Sequence, residues 1–332
     1  MHTGREIRLV SRPDGLPSAE NFALADVELA APGAGQLLVR NTFLSVDPYM
    51  RGRMSDAPSY VAPFEVGKAL DGGAVGVVES SRDARFPVGT TVLHSLGWRT
   101  HAVGPAQAFR AIEAVGVSPS AYLGVLGMPG FTAYVGLFVI DDVKAKETVF
   151  ISSAAGAVGT IAGQLAKLRG ARVIGSTRSK ENAKILRDKL HFDDVIVVDS
   201  GNVAKQLRNA APSGIDFYFD NVGGEQLEAA LAVLKDHGRV SVCGMIANYC
   251  EPLPGPRNII AVVQKRLRLQ GFIVSDHMAR NAEFVHEVAP AVVAGKITGL
   301  ETFVDGLDAA PAAFMSLFAP GAHVGKLIVR IL

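Results

Sequence analysis

The chain changes rhythm near residue 148. Before that point, short apolar runs alternate with glycine and proline: Gln36-Leu37-Leu38-Val39-Arg40-Asn41, Gly73 to Glu79, and Thr90 to Leu93. Frequent turns between short apolar runs predict a compact β-rich domain. Beyond it, strand and helix patterns take turns. Thr148 to Ser152 reads as a strand, Val158 to Arg169 as a helix and Ala171 to Gly175 as a strand. A charged helix, Lys180 to Leu190, then leads to the strand Asp194 to Val198. Ile215 to Phe219, Arg239 to Cys243 and Leu267 to Val274 supply three more strands. This alternation predicts right-handed βαβ units and a parallel sheet covered on both faces. Six strands in this order fit a doubly wound dinucleotide-binding domain. A last strand, Lys326 to Arg330, follows the sixth and is expected to return to the first domain. The pattern therefore predicts an α/β protein of two domains, residues 1–125 with 300–332 and residues 126–299.

Composition narrows the partners. The 332 residues suit two domains, and 48% hydrophobic content is that of a globular chain. Basic and acidic residues number 33 and 32, a net charge of +1, which gives no field to draw the chain onto nucleic acid or an anionic membrane. Cys243 and Cys250 are the two cysteines, too few for a disulfide framework or a cysteine-rich zinc lobe. Met1 to Glu6 opens no apolar run, so a cytoplasmic location is expected. Ala121 to Ile140 is uncharged and long enough to span a bilayer. Gly124, Gly127, Pro129, Gly130 and Gly136 interrupt it, so it reads as buried core.

Ala154-Ala155-Gly156-Ala157-Val158-Gly159 lies between a predicted strand and a predicted helix. It matches G-x-G-x-x-G with alanine in the first place. Gly156 lets the backbone approach a pyrophosphate, Gly159 lets the helix pack close to the strand, and the helix N-terminus attracts the anion. The motif alone is weak, and its strand–turn–helix context makes it a dinucleotide site. At the end of the second strand, an NAD site usually places an acid on the ribose. Here the tip reads Gly175-Ser176-Thr177-Arg178-Ser179-Lys180, with hydroxyls and cations and no acid. That set suits a 2′-phosphate, so NADPH is the expected cofactor. The alternative for Arg178 and Lys180 is a pair of solvated charges at a helix start.

Several motifs together resemble one family. They are Ser45-Val46-Asp47-Pro48-Tyr49-Met50-Arg51, Gly127-Met128-Pro129-Gly130-Phe131-Thr132-Ala133-Tyr134 and Phe219-Asp220-Asn221-Val222-Gly223-Gly224. Cys243-Gly244-Met245-Ile246, Gly271-Phe272-Ile273-Val274 and Val324-Gly325-Lys326 follow in the same order. The chain is similar to the zinc-independent branch of the medium-chain dehydrogenase/reductase family, with the prostaglandin, leukotriene B4, alkenal and curcumin reductases. The resemblance implies a GroES-like substrate domain with a Rossmann cofactor domain. It implies a homodimer, and hydride transfer from NADPH to the β-carbon of an α,β-unsaturated aldehyde or ketone. The protein must then donate hydrogen bonds to the developing enolate oxygen. Tyr249 is the first candidate for that role and Tyr49 the second, as donor or pocket wall; packing is the alternative for both. Met128, Pro129 and Thr132 are expected at the domain junction, with Met128 in the substrate pocket. Asn221, Cys243, Phe272, Val274 and His323 join the phosphate loop and strand tip as expected cofactor contacts.

Three positions depart from the family. Asn182 stands where many relatives have lysine, Asp199 where a tyrosine often helps hold the 2′-phosphate, and His323 where asparagine is frequent. An acid at 199 would repel a nearby phosphate and weaken the NADPH preference. Where zinc dehydrogenases carry Gly-His-Glu, this chain reads Gly67-Lys68-Ala69 and has no cysteine in its first domain, so no metal is expected. Two other readings stay open: a quinone reductase sharing the cofactor site, and a protein that binds NADPH without catalysis.

Overall fold

The computed structural model describes residues 2–113, 116–251, 253–319, 321 and 323–331. The chain divides into two compact units. One comprises Met1–Leu123, Glu301–Ala319 and Leu327–Leu332, the other Gly124–Leu300 and Pro320–Lys326.

The chain opens with β1 (His2–Leu9), β2 (Phe22–Leu29), β3 (Gln36–Ser45), a short helix α1 (Met50–Arg53), β4 (Ala74–Ser81), β5 (Thr91–His94), β6 (His101–Pro105) and β7 (Phe109–Ala111). Helix α2 (Met128–Tyr134) precedes β8 (Thr148–Ile151), α3 (Ala157–Leu168), β9 (Arg172–Thr177), α4 (Lys180–Asp188), β10 (Asp194–Val197), α5 (Val203–Ala210), β11 (Ile215–Asp220), α6 (Gly224–Val233) and β12 (Leu234–Val242). Then come α7 (Ala261–Gln264), β13 (Arg268–Gly271), α8 (Asn281–Val293), β14 (Glu301–Asp305), α9 (Ala310–Ser316) and β15 (Lys326–Arg330).

The first unit is antiparallel. β1 and β2 form a two-stranded sheet, and a larger sheet runs β14-β15-β3-β4-β5-β7 with β6 also on β3. The final strand does return to this unit, with Ile328 opposite Ser45 and Arg330 opposite Phe43. Its core gathers Ile7, Leu9, Leu44, Met50, Trp98 and Phe314. The hydropathy pattern did not mark β1 and β2. Their outward positions carry Arg5, Arg8, Asp26 and Glu28, which dilute a run whose inward residues Ile7 and Leu9 are buried.

The second unit carries six strands in the order β10-β9-β8-β11-β12-β13, every pair parallel. In chain order of this sheet that is 3-2-1-4-5-6, the doubly wound arrangement. One expectation is corrected. The sixth strand stops at Gly271 instead of Val274, where a 3₁₀ turn spans Val274–Arg280. β13 has β12 as its neighbour, and the register ends with Val242 opposite Gly271, so the chain beyond has no ladder to continue. Within the uncharged stretch, α2 is seven residues and continues into a π-helical turn, Val135–Val139. Phe131, Ala133, Val135 and Leu137 are buried in the second unit. Among the described residues, no helix is long and apolar enough to cross a membrane.

Candidate active site

The turn between β8 and α3 is built by backbone. Gly156 caps α3 in an extended conformation with no side chain closing the helix end, so the first N–H groups stay open to an anion. A Cβ on Gly159 would lie 2.4 Å from the Ser153 carbonyl oxygen and 2.7 Å from the Ala154 Cα. Only glycine lets α3 settle against the loop. One turn on, a Cβ on Gly163 would stand 1.9 Å from the Phe192 ring, so the next contact is equally tight. Ala154 and Ala155 are buried, whereas Gly156, Ala157 and Val158 are half-exposed at the mouth of the loop.

The β9 tip supports this loop from the side. Ser176 is fully buried; its hydroxyl donates to Gln226 Oε1 at 2.5 Å and accepts from the Ser153 N–H at 3.2 Å. The Ala154 N–H donates to the Ser176 carbonyl at 2.7 Å. Ser176, expected as a cofactor contact, therefore spends its side chain on the loop. Thr177 is buried and accepts from the Ser179 N–H. Ser179 caps α4 by accepting from the Asn182 N–H. Arg178 and Lys180 are exposed at the tip. Arg178 Nε is 3.1 Å from Asp199 Oδ1. Asn182 is buried and its amide donates to the His323 carbonyl at 3.1 Å. The Gly325 N–H donates to the Ala155 carbonyl at 2.8 Å. The 323–326 segment thus lies against this loop within the second unit. His323 Nδ1 is buried and makes no hydrogen bond, and burial holds the imidazole below its usual pKa, with Lys326 adding to the effect.

The third side comes from the tips of β11 and β12. Asn221 is tied to β8, its N–H donating to Ser152 Oγ and its side-chain amide to the Ser152 carbonyl, both at 2.8 Å. Beneath it, Asp220 is fully buried, and its Oδ1 accepts from the Tyr218 hydroxyl, the Val222 N–H and the Gly223 N–H. Burial raises the pKa of this carboxyl despite those donors. Cys243 follows β12, and burial with the nearby Asp220 pushes its thiol to about 12, so it is no nucleophile. Tyr249 ends a 3₁₀ turn, and a Cβ on Gly244 would lie 2.9 Å from its hydroxyl oxygen and 3.7 Å from the Asn221 carbonyl. The tyrosine hydroxyl occupies space that a side chain at position 244 would contest. Phe272 packs edge-on against Phe219, and Val274 begins the turn after β13.

In the first unit, Tyr49 precedes α1 and is half-buried against the core. Burial raises its hydroxyl pKa, with Asp47 contributing. A cleft of about 610 Å³ in that unit is lined by Arg8, Arg53, Phe64, Lys68, Asp71 and Arg99. Among its charges Lys68 pairs with Glu65 and Arg99 with Asp71, both at 3.1 Å, while Arg53 donates to the Ala62 carbonyl and lies over the Phe64 ring. Met128 opens α2 and is 43% exposed. Among the described residues, no three His, Cys, Asp or Glu side chains converge on a metal-sized site.

Ser152, Gln226, Asp220 and Gly244 are parts of the site that sequence reasoning left without a role. The available signal was a polar residue at the end of an apolar strand, as at Ser152 and Asp220. The geometry fits a nicotinamide dinucleotide. The open N-terminus of α3 lies against a glycine that admits no side chain, and beside it is a strand tip with Arg178 and Lys180 where an acid would hold a ribose diol.

Comparison with known proteins agrees. A family model described as the N-terminal domain of oxidoreductase matches residues 5–112, and one described as zinc-binding dehydrogenase matches residues 157–289. The NADPH-dependent curcumin reductase of Escherichia coli is 41% identical over 330 residues, covering 97% of this chain and 95% of its own. The NADP-dependent 2-alkenal reductase of Nicotiana tabacum is 37% identical over 336 residues, covering 99% and 98%. CurA of Vibrio vulnificus, solved in complex with NADPH, superposes with a TM-score of 0.94 at 41% identity, each chain covered to 99%. The chain belongs to the NADP-dependent branch of the medium-chain dehydrogenase/reductase family, with the curcumin, 2-alkenal and prostaglandin reductases.

Proposed function

We propose that this protein uses NADPH to reduce the carbon–carbon double bond of α,β-unsaturated aldehydes and ketones. The observation that carries the cofactor is the uncapped α3 N-terminus over Gly159, next to a β9 tip without an acid. Relatives whose names state NADPH-dependent curcumin and 2-alkenal reduction support the reaction. The nicotinamide, when bound, supplies the hydride. Residues 154–159 hold the pyrophosphate through backbone N–H groups, and Arg178 with Lys180 receives the 2′-phosphate. Asn221, Cys243, Phe272, Val274 and His323 border the rest of the cofactor. The Tyr249 hydroxyl donates a hydrogen bond to the enolate oxygen as charge develops there; a neutral phenol does this without itself ionising. Tyr49, whose raised pKa keeps it protonated, is the alternative candidate for that donor, and Met128 is the candidate apolar residue of the pocket.

The chemistry needs no zinc, a reading supported by Lys68 and Ala69 at the position of the metal-binding His-Glu pair. We place the enzyme in the cytoplasm as a homodimer. β13 is the last strand of its sheet, and Ile259, Ile260 and Val263 are exposed in the segment before it. Sedimentation at micromolar concentration tests that assembly.

The decisive experiment follows NADPH absorbance with a medium-chain 2-alkenal, an aryl enone and a naphthoquinone, each with and without a chelator. Chelator-insensitive oxidation with alkenal or enone, giving a saturated carbonyl, is expected. Oxidation by quinone alone would assign a quinone reductase, and tight NADPH binding without turnover would assign a non-catalytic binder. In Tyr249→Phe, kcat falls about a hundredfold while the NADPH Kd stays unchanged, the scale of one lost transition-state donor.

A further inference from the structure

The ribose end of the cofactor site holds more acid than phosphate recognition asks for. β9 and β10 run in parallel with Val197 opposite Thr177, so their tips lie side by side. Four charged side chains gather just beyond them: Arg178, Lys180, Glu181 and Asp199. Glu181 is engaged locally, its carboxylate accepting from Ser179 Oγ at 2.8 Å in the first turn of α4, where the helix dipole favours an acid. Asn182 is spent on the His323 carbonyl. Arg178 is the forked donor of this group, the type that matches a phosphate dianion. Asp199 sits on it: Arg178 Nε lies 3.1 Å and 3.4 Å from the two carboxylate oxygens. Both side chains are about half exposed, at 51% and 45%.

We propose that Asp199 sets how strongly this protein prefers NADPH over NADH, by competing with the 2′-phosphate for Arg178. The inference rests on assigning Arg178 to that phosphate. The ion pair uses the Nε side of the guanidinium and leaves its other edge for a ligand. A phosphate arriving there meets a guanidinium whose charge the carboxylate already offsets, so it gains less from Arg178 than it would from an unpaired arginine. NADH brings a neutral 2′-hydroxyl, which draws little on the arginine charge and so loses little to the ion pair. Asp199 therefore subtracts from the affinity for one cofactor and leaves the other alone. Asp199→Asn removes the charge and keeps an oxygen for the Nε hydrogen bond, so Arg178 retains its placement.

The test is calorimetric titration of NADPH, NADH and adenosine 2′,5′-bisphosphate into wild type, Asp199→Asn, Arg178→Ala and the double variant. The residues are exposed, so the variants fold. Asp199→Asn is expected to tighten NADPH and the bisphosphate about fivefold, the upper scale of an exposed charge pair, with NADH within about twofold. The gain shrinks as salt rises, because exposed charges are screened. Arg178→Ala is expected to weaken NADPH about tenfold, and Asp199→Asn added to it changes little. Weaker or unchanged NADPH binding in Asp199→Asn overturns the competition. An undiminished gain in the Arg178→Ala background overturns the route through Arg178. Unchanged NADPH binding in Arg178→Ala removes the assignment beneath the inference, an outcome distinct from both.

Discussion

The two units bury polar side chains in different places. In the second unit, Ser152, Ser176 and Asp220 sit at the C-terminal tips of parallel strands and hold the loops beyond them. In the first, Asn41 and His94 lie buried within antiparallel strands. Asn41 marks a register shift between β3 and β4. Its amide donates to the Leu96 and Arg99 carbonyls, and its oxygen is 2.9 Å from His94 Nε2. The Leu96 N–H donates to His94 Nδ1, which makes Nε2 the protonated nitrogen of a neutral ring. A doubly wound sheet points all its strand ends one way, so polar groups collect at one edge and build a ligand site there. An antiparallel sheet has no such edge, and its buried polar groups repair the ladder instead.

The comparison breaks first at Gly159. Gly159→Val drives a side chain into backbone at under 3 Å. It is expected to cost about 3 kcal/mol or more in urea unfolding and to abolish NADPH binding, since backbone has nowhere to yield. The next effect belongs to His94. Burial lowers its pKa from 6.5 to about 4, with Arg99 assisting. The unfolded ring therefore takes up a proton at higher pH than the folded one, and stability is lost as pH falls from about 6.5 toward 4. Unfolding at pH 7.5 and pH 5 should differ by about 2 kcal/mol more in wild type than in His94→Gln. A flat difference would mean the ring is charged in the fold. Ser176→Ala is expected to cost about 1–2 kcal/mol, because the buried Gln226 oxygen and Ser153 N–H lose a partner, and to weaken NADPH binding through a looser loop. Tyr49→Phe is the mildest, with stability held within about 0.5 kcal/mol and any loss confined to kcat.

The second unit was more legible in the sequence than the first. Its strands are apolar runs separated by helices, so periodicity found all six and misplaced some ends, among them the start of β12, which begins at Leu234 instead of Arg239, and the close of β13. The end of β13 depends on where β12 stops, which no local pattern records. β1 and β2 escaped because their outward charges dominate the local pattern while burial of Ile7 and Leu9 depends on distant residues. In the candidate site, the glycine turn before α3 was readable because its requirement is steric and local: a glycine where Ser153 and Ala154 leave no room for a Cβ. The partners of its side chains were not. Ser176 was expected on the cofactor and turns inward to Gln226, fifty residues away in sequence.

The sequence by itself carried the family through its ordered motifs, and it determined the two kinds of sheet and the glycine turn before α3, because short-range periodicity and glycine sterics act between near neighbours. Only the tertiary structure decided which polar groups the scaffold itself engages. That choice depends on charges and donors far apart in sequence, as with Asp199 on Arg178 and Asn182 on His323. An arginine written as a phosphate ligand in the sequence is, in the fold, an arginine with a carboxylate already on it.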